Sequence, residues 1–178
     1  HPNFVTVMED PEVVMVRREP GDTSYVGEDW HTDTTMVAEP PMGAILYGID
    51  VPAYGGDTMF ANQYQAYDAL SPTMKKLLEG LRAVHSDIGI AGPQASRNKL
   101  RSTKNRDDDG WRETRSTHPI VRTHPETGRK CLFVNASYTV GIEGMTAAEG
   151  KALLDFLLEQ GHRPEFTFRF RWQKGSIA

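Results

Sequence analysis

His31 and Asp33 are the residues of this 178-residue sequence with the clearest potential for chemistry. An imidazole nitrogen and a carboxylate oxygen are two parts of the two-histidine, one-carboxylate triad, which binds iron(II) and leaves coordination positions open. Side chains two residues apart on a strand face the same side. If the surrounding segment is extended, the two groups converge on one point, and the spacing predicts two ligands of one metal ion.

A histidine and an aspartate at this spacing also occur often by chance. Taken alone, the stretch from His31 to Asp33 favours a surface or hydrogen-bonded pair over a metal site. The interpretation therefore depends on the elements that would position the pair and on the other motifs of the chain.

Short apolar runs predict a series of strands along the chain. The clearest is the stretch from Phe166 to Trp172, where aromatic and polar residues alternate with a strict period of two. The predicted strands or extended segments are residues 12–16, 30–37, 44–49 (buried), 58–60, 120–123, 131–134 and 166–172, with 120–123 and 131–134 forming a hairpin.

Two helices are predicted from the signals at their first turns. Ser71 is a suitable cap, and Pro72 suits the first helical position. Thr146 and Glu149 have the spacing of a capping box, and the helix that follows is expected to end at Gly161. Together with the strands, these helices predict a mainly β fold with added helices and a β-barrel or jelly-roll core.

Residues 90–116 form a long polar stretch that is rich in glycine, arginine and aspartate. Ordinary connections are much shorter, so this stretch is predicted to be a functional lid or an ordered insert. The chain has no internal repeat and no evident linker, which predicts one domain over residues 1–178.

The composition argues against several classes of function. A net charge of -4 gives no general attraction to nucleic acid or anionic lipid. The basic residues within 97–106 are followed at once by three aspartates, a pattern typical of a solvated loop. No apolar run has the length of a membrane span, and the single cysteine, Cys131, suits a reducing compartment. We expect a cytoplasmic protein that binds neither nucleic acid nor membranes.

Several further motifs follow in order along the chain. They are Trp30-His31-Thr32-Asp33-Thr34-Thr35, Pro40-Pro41-Met42-Gly43-Ala44, Gly55-Gly56-Asp57-Thr58, Leu70-Ser71-Pro72, His118-Pro119-Ile120-Val121-Arg122-Thr123-His124-Pro125, Gly128-Arg129-Lys130, Leu132-Phe133-Val134-Asn135 and Phe170-Arg171-Trp172. In this order and at these spacings, the sequence resembles the taurine dioxygenase family of iron(II)- and 2-oxoglutarate-dependent oxygenases. That family includes the chlorophenoxyacetate and alkylsulfate dioxygenases, and the resemblance extends from His1 to Ala178.

The resemblance implies an enzyme with iron(II) as cofactor and 2-oxoglutarate as co-substrate. Such an enzyme uses dioxygen to hydroxylate a small organic anion, here a sulfonate, a sulfate ester or an aryloxyalkanoate, and releases succinate and carbon dioxide. It also implies a double-stranded β-helix (jelly-roll) core. The oligomeric state is left open, a homo-oligomer included.

The resemblance also assigns roles in the co-substrate and metal sites. His31 and Asp33 match the first two metal ligands of the family. Thr58 matches a threonine that hydrogen-bonds a carboxylate of 2-oxoglutarate. The alternative for Thr58 is an ordinary strand residue.

Four positions match the substrate pocket of the family, namely His1, Phe4, Gly27 and Tyr138. Phe4 stands where the taurine enzyme has a tyrosine, Tyr138 where it has a phenylalanine, and Gly27 where it has an asparagine. These changes argue against taurine itself as the substrate. Core packing is the alternative for Phe4 and Tyr138.

By the same resemblance, the third metal ligand, a histidine, and the arginine that binds 2-oxoglutarate are expected beyond Ala178. The remaining histidines are not expected to be ligands. His118 and His124 are predicted to have turn and packing roles, His85 to follow a helix, and His162 to lie at a helix end, where a positive charge is favourable. We therefore expect a domain that is trimmed at both ends and a jelly roll that is incomplete at its C-terminus.

Two other functions are open at this point. A non-catalytic jelly-roll binding protein could keep the metal motif as a relic, and a hydrolytic zinc site could use the same ligands. Metal-dependent release of succinate from 2-oxoglutarate separates the enzyme from the binding protein. Dependence on dioxygen separates it from the hydrolase.

Overall fold

The computed structural model describes residues 6–7, 10–23, 27–92, 95 and 111–178. His1 and Phe4 lie outside these residues, and so does most of the predicted lid at 90–116. The predictions made for them have no structural counterpart here.

Short antiparallel strands with a few helices make up the described residues, which confirms the mainly β fold with added helices. The strands are β1 (Thr6–Val7), β2 (Asp10–Val14), β3 (Thr58–Ala61), β4 (Arg82–Ser86), β5 (Arg115–Pro119), β6 (Val121–Thr123), β7 (Lys130–Leu132), β8 (Thr139–Ile142) and β9 (Thr167–Phe170). The helices are α1 (Gln63–Asp68), α2 (Pro72–Leu78), α3 (Ile88–Ala91) and α4 (Ala147–Gly161), and a 3₁₀ turn covers Pro164–Phe166. Within the described part of the chain, no helix is long and apolar enough to cross a membrane.

The strands pair as β1–β2, β3–β9, β6–β7 and the three-stranded sheet β5–β4–β8. The pair β6–β7 is the hairpin that the sequence predicts. Strand β4 lies at the centre of the three-stranded sheet, yet no sequence pattern predicts it. Its buried face carries Ala83 and His85 rather than large apolar side chains, so it lacks the usual strand signal.

Both predicted helix caps are present. The hydroxyl of Ser71 accepts a hydrogen bond from the Met74 amide at 3.1 Å, and Pro72 begins α2. At α4 the Thr146 hydroxyl accepts from the Glu149 amide, and the Glu149 carboxylate accepts from the Thr146 amide at 2.9 Å. Each cap satisfies amides that have no partner within the helix, so local sequence alone determines where these helices begin.

The hydrophobic core lies where α4 packs on α1 and on strand β8. Leu154 and Leu157 point from α4 into it. The other buried members are Ala66, Leu70, Leu78, Ala83, Ile120, Leu132, Val134 and Ile142. This core anchors the three-stranded sheet, whose other buried side chains are polar.

Residues 44–49 do not form the buried strand that their apolar sequence predicts. Ile45 is 84% exposed, and the segment pairs through an isolated bridge between Tyr47 and Ile177. Backbone hydrogen bonds join Leu46 to Ala178 in both directions, at 2.7 and 3.0 Å. Apolar composition alone does not bury a strand, because burial requires an element that covers it, and none of the described residues covers this one.

Candidate metal centre

The candidate ligands lie in residues 29–37, called here the metal segment. The predicted extended conformation of 30–37 is wrong, because residues 33–36 form a turn in which Thr34 has a positive φ of 49°. The two side chains meet nevertheless, with His31 Nε2 3.4 Å from Asp33 Oδ1. The convergence therefore arises from a turn and not from the alternation of a strand, and the metal-binding role itself stays a prediction.

The backbone of Asp29 orients the His31 ring. Its carbonyl oxygen lies 2.7 Å from His31 Nδ1. Since a carbonyl oxygen only accepts, Nδ1 carries a proton, and in the neutral ring the lone pair is on Nε2, which faces Asp33. A histidine that binds a metal through one ring nitrogen usually donates a hydrogen bond from the other ring nitrogen to a carbonyl or carboxylate oxygen.

Without a metal, a proton can occupy the position between the two groups. The hydrogen bond to Asp33 raises the pKa of His31 above its usual range, although burial opposes the shift. The same hydrogen bond lowers the pKa of Asp33. Two electron donors that face each other in this way attract a cation, and a metal ion can replace the proton.

The donor chemistry of the pair fits a divalent metal, but the pair does not complete a site. Among the residues that the structure describes, no group of three histidine, cysteine, aspartate or glutamate side chains is placed to hold a metal ion. The side chains of His31 and Asp33 are 31% and 50% exposed. Both side chains are therefore partly accessible to solvent.

Gly27 lies against the His31 ring. A Cβ atom at this position would be 3.0 Å from His31 Cε1, and the backbone has a positive φ of 75°. Both features favour glycine, because a side chain would crowd the imidazole and strain the backbone. Gly27, predicted as a substrate-pocket position, is thus a direct neighbour of the candidate metal site.

Thr58 is the first residue of β3, and its hydroxyl accepts a hydrogen bond of 2.8 Å from the indole Nε1 of Trp172. The register pairs Thr58 with Phe170 and Phe60 with Phe168. Residues directly opposite each other, and residues two apart, share one face of a sheet. Thr58 and these aromatic residues therefore line the same face of β3–β9.

An open groove of about 400 Å³ connects this face with the metal segment. Its lining includes Thr32, which lies between the two candidate ligands in the sequence, and Phe60 and Phe168 from the β3–β9 face. The remaining lining residues are Ala61, Asn62, Gln63, Tyr64, Cys131, Leu132 and Phe133. The groove is mainly apolar, and His31, Asp33 and Thr58 are not among its lining residues.

Tyr138 is buried at the start of β8, where its amide donates to Asn135 Oδ1 at 2.9 Å. This burial suits core packing, which is the alternative given for it above. It does not line the groove described here, so its contact with substrate stays a prediction.

The other histidines are in the structural surroundings expected of them, with one exception. His124 Nδ1 accepts from the amides of Glu126 and Thr127 in the hairpin turn, and His162 caps the end of α4, where it stacks on Trp30. Burial lowers the pKa of His162, so a charge at that helix end is not favoured as predicted. His85 is the exception, because it lies on β4 and not after a helix.

Sequence reasoning missed a buried polar set behind the metal segment. It consists of Thr35, His85, His118 and Asn135. His118 and Asn135 stand in motifs noted above, but nothing in the local pattern indicated that they meet. Their contacts join residues far apart in the chain, which is why only the folded structure reveals them.

Comparison with known proteins gives a family match over nearly the whole chain. The family described as "Taurine catabolism dioxygenase TauD, TfdA family" matches residues 2–178. A putative alpha-ketoglutarate-dependent sulfonate dioxygenase of Schizosaccharomyces pombe is 38% identical over 150 residues, which are 84% of this chain and 36% of that protein. The alpha-ketoglutarate-dependent 2,4-dichlorophenoxyacetate dioxygenase of Cupriavidus pinatubonensis is 35% identical over 162 residues, which are 87% of this chain and 52% of that protein.

The fold has a solved counterpart as well. The crystal structure of a putative alpha-ketoglutarate-dependent taurine dioxygenase from Burkholderia xenovorans superposes with a TM-score of 0.74 at 35% identity. The match covers 98% of this chain and 56% of that one. The chain therefore spans about half or less of the length of the relatives that it matches.

Proposed function

Because this chain belongs to the taurine catabolism dioxygenase (TauD, TfdA) family, we propose that it is part of an iron(II)- and 2-oxoglutarate-dependent dioxygenase. The reaction inserts one oxygen atom of dioxygen into a C–H bond of a small organic anion. The other oxygen atom enters succinate as 2-oxoglutarate loses carbon dioxide. The anion is a sulfonate, a sulfate ester or an aryloxyalkanoate, the classes to which the names of the relatives point.

The approach of His31 Nε2 to Asp33 Oδ1 at 3.4 Å is the observation that carries this proposal. The proton on Nδ1 is held by the Asp29 carbonyl, so Nε2 is free to bind the metal. When bound, iron(II) supplies the open coordination positions at which 2-oxoglutarate and dioxygen react. The third ligand is a histidine beyond Ala178, as the family resemblance predicts.

Thr58 holds one carboxylate of 2-oxoglutarate in this proposal. A hydroxyl has one proton to donate and two lone pairs to accept with. Since the Trp172 indole donates to Thr58 Oγ1 at 2.8 Å, one lone pair is occupied and the proton of the hydroxyl is free to point at an anionic oxygen. Trp172 therefore orients the donor, and a hydrogen bond to a charged acceptor is stronger than a neutral one.

The apolar groove between the metal segment and β3–β9 is proposed to receive the reacting organic part of the substrate. Phe60 and Phe168 give this side of the groove a partly exposed apolar surface on which an organic group can pack. His1, Phe4, Gly27 and Tyr138 remain the proposed pocket positions. The segment 90–116 remains the proposed lid, and a jelly roll that needs strands beyond Ala178 remains the proposed core.

The test uses the full-length protein with iron(II), 2-oxoglutarate and one anion of each proposed class. We expect dioxygen-dependent formation of succinate that increases with at least one anion. His31→Ala and Asp33→Ala should each abolish it while the melting temperature changes little. His124→Ala, which removes a histidine from an exposed hairpin turn, is the matched control and should keep turnover.

Two results would overturn the proposal. Succinate formation that survives His31→Ala would remove the pair from the metal site. Hydrolysis of a substrate with zinc and without dioxygen would identify a hydrolase instead.

A further inference from the structure

Sheet hydrogen bonds do not hold the metal segment. Residues 33–36 form a turn, closed by a hydrogen bond of 3.2 Å from the Val37 amide to the Thr34 carbonyl. The positive φ of Thr34 is an uncommon conformation for a residue other than glycine and costs free energy unless the surroundings enforce it. Yet Thr35 and Met36 are fully or almost fully buried. Side-chain contacts must therefore hold this turn in place.

The hydroxyl of Thr35 is the centre of those contacts. It lies 2.8 Å from His85 Nδ1, and it accepts a hydrogen bond of 3.1 Å from Asn135 Nδ2. His85 comes from the middle of β4, and Asn135 precedes β8. One buried hydroxyl thus joins the turn to two separate parts of the fold.

Both partners of Thr35 are themselves fixed. The side-chain oxygen Oδ1 of Asn135 accepts a hydrogen bond of 2.9 Å from the backbone amide of Tyr138. The backbone amide of Asn135 donates one of 3.0 Å to Thr139 Oγ1. His85 sits on the central strand, paired with Ser116 on one side and with Thr139 on the other. The positions of the two side chains that contact the Thr35 hydroxyl are therefore set by the three-stranded sheet.

A second contact of the same kind follows two residues later. His118 Nε2 lies 3.0 Å from the Val37 carbonyl oxygen, and its ring meets the His85 ring edge to face with centroids 5.3 Å apart. His118 is also on the three-stranded sheet, where it pairs with Ala83. The end of the turn is therefore tied to the same sheet as its centre.

The burial of His85 in this set of contacts costs free energy, so efficient packing is not a sufficient reason for a histidine at this position. His85 is 0% exposed, and its Nε2 atom is buried without a hydrogen-bond partner among the described residues. Buried polar groups with an unsatisfied atom are unfavourable, and apolar side chains would fill the same space at lower cost. Fully ordered polar contacts do, however, specify one arrangement of a segment where apolar packing would allow several.

We propose that Thr35, His85 and Asn135 are positioning residues for the Asp33 carboxylate. Their hydrogen bonds fix the turn two residues after Asp33 and so hold Oδ1 at its place opposite His31 Nε2. The inference rests on the proposed function, in which Asp33 is a metal ligand. It adds that the three-stranded sheet holds the candidate metal site in place through contacts to the Thr35 hydroxyl.

The test compares Thr35→Val, which keeps the shape and removes the hydroxyl, with Thr35→Ser, which keeps the hydroxyl. Leu157→Ala removes a side chain of α4 from the main core and provides a variant that is destabilised outside the three-stranded sheet. Thr35→Ala also removes the hydroxyl and gives the same comparison if Thr35→Val does not fold. Each is made in the full-length protein.

Two measurements are made on each variant. The first is the affinity for Mn²⁺, used as a stable divalent probe, and the second is hydrogen exchange of peptides that cover residues 30–37 in the metal-free protein. Thr35→Val should weaken Mn²⁺ binding by about tenfold or more, the usual effect of losing a group that orients a ligand. It should also speed exchange of the Val37 amide. Thr35→Ser should restore both, and Leu157→Ala should lower the melting temperature without changing either.

Each contrary outcome has a distinct meaning. Mn²⁺ binding that depends on His31 but is unchanged in Thr35→Val would overturn the positioning role and leave the proposed function intact. An equal loss of affinity in Leu157→Ala would also overturn it, since general destabilisation would then suffice. Wild-type protein that shows no His31-dependent Mn²⁺ binding would overturn the proposed function and this inference with it.

Discussion

The main core and the metal segment are stabilised in different ways. In the core, α4 buries Leu154 and Leu157 against α1 and β8, and its ends follow from local capping signals. In the metal segment, an irregular turn is held by hydrogen bonds to residues 50 and 100 positions away in sequence. The core thus tolerates small changes in packing, whereas the metal segment depends on a few directional contacts.

Under the proposed function, this difference separates the contacts that set stability from those that set the geometry of the metal ligands. Loss of a core side chain should lower the free energy of unfolding and leave the ligand geometry unchanged. Loss of a contact at the metal segment should change the ligand geometry at a smaller cost in stability. The variants below test that separation in order of decreasing effect.

Leu157→Ala should have the largest effect, and on stability alone. The side chain is fully buried at the centre of the core, so its removal should cost about 2–5 kcal/mol of unfolding free energy. Urea unfolding measures this loss, and Mn²⁺ titration well below the lowered melting temperature should give the wild-type affinity. Lys151→Ala on the exposed side of α4 should cost less than about 0.5 kcal/mol. Weakened Mn²⁺ binding in folded Leu157→Ala would mean that the core also sets the ligand geometry.

Acid should destabilise the protein through His85. Burial, helped by the nearby His118, lowers the pKa of His85 to about 4, and the Phe133 backbone opposes the shift only in part. The unfolded chain binds this proton near pH 6.5 and the folded protein does not, so stability falls as the pH drops from about 6.5 to about 4. The full loss is on the order of 3 kcal/mol, at about 1.4 kcal/mol per pH unit.

Urea unfolding at pH 7 and at pH 4.5 measures that loss. His85→Gln cannot titrate, and all other groups remain, so the variant should lose markedly less stability between the two pH values than the wild type. Equal losses in both proteins would show that His85 does not titrate in this way.

Gly27→Ala should weaken metal binding by about tenfold, because the new Cβ would lie 3.0 Å from His31 Cε1 and displace the ring. Mn²⁺ titration measures the change. Gly128→Ala is the matched control, since Gly128 also has a positive φ but no atom within 4 Å of a Cβ placed there. Both variants should be strained, and only Gly27→Ala should lose affinity. An equal loss in Gly128→Ala would assign the effect to backbone strain.

Trp172→Phe should have the smallest effect. It removes the indole donor to Thr58 Oγ1 and should raise the KM for 2-oxoglutarate by about twofold to tenfold, the range of one neutral hydrogen bond. Thr58→Val should raise it by about tenfold or more, because the donor itself is lost. In a Thr58→Val background, Trp172→Phe should have no further effect. A further increase there would mean that Trp172 acts independently of Thr58.

Much of the fold follows from short stretches of sequence. The caps at Ser71 and Thr146, the end of α4 at Gly161 and the hairpin of β6 and β7 are all confirmed. The aromatic alternation near the C-terminus forms a strand, but only over Thr167–Phe170. These features depend on neighbouring residues, so a local pattern is sufficient to predict them.

The predictions that failed concern segments whose structure depends on distant partners. Residues 44–49 are apolar, yet exposed, because no described element covers them. Strand β4 lacks an apolar pattern, yet lies at the centre of a sheet, because β5 and β8 pair with both of its edges. In each case the long-range partner decided the outcome, and local composition does not contain that information.

The same distinction between local sequence and distant partners applies to the candidate metal site. The sequence by itself predicted His31 and Asp33 as metal ligands and Thr58 as a contact of 2-oxoglutarate, because their types and order carry the family resemblance. Only the tertiary structure decided how they are held, through a turn at 33–36, the Asp29 carbonyl on His31 and the sheet contacts of Thr35. Ligand chemistry belongs to single side chains, whereas ligand geometry arises from contacts between residues that meet only after folding.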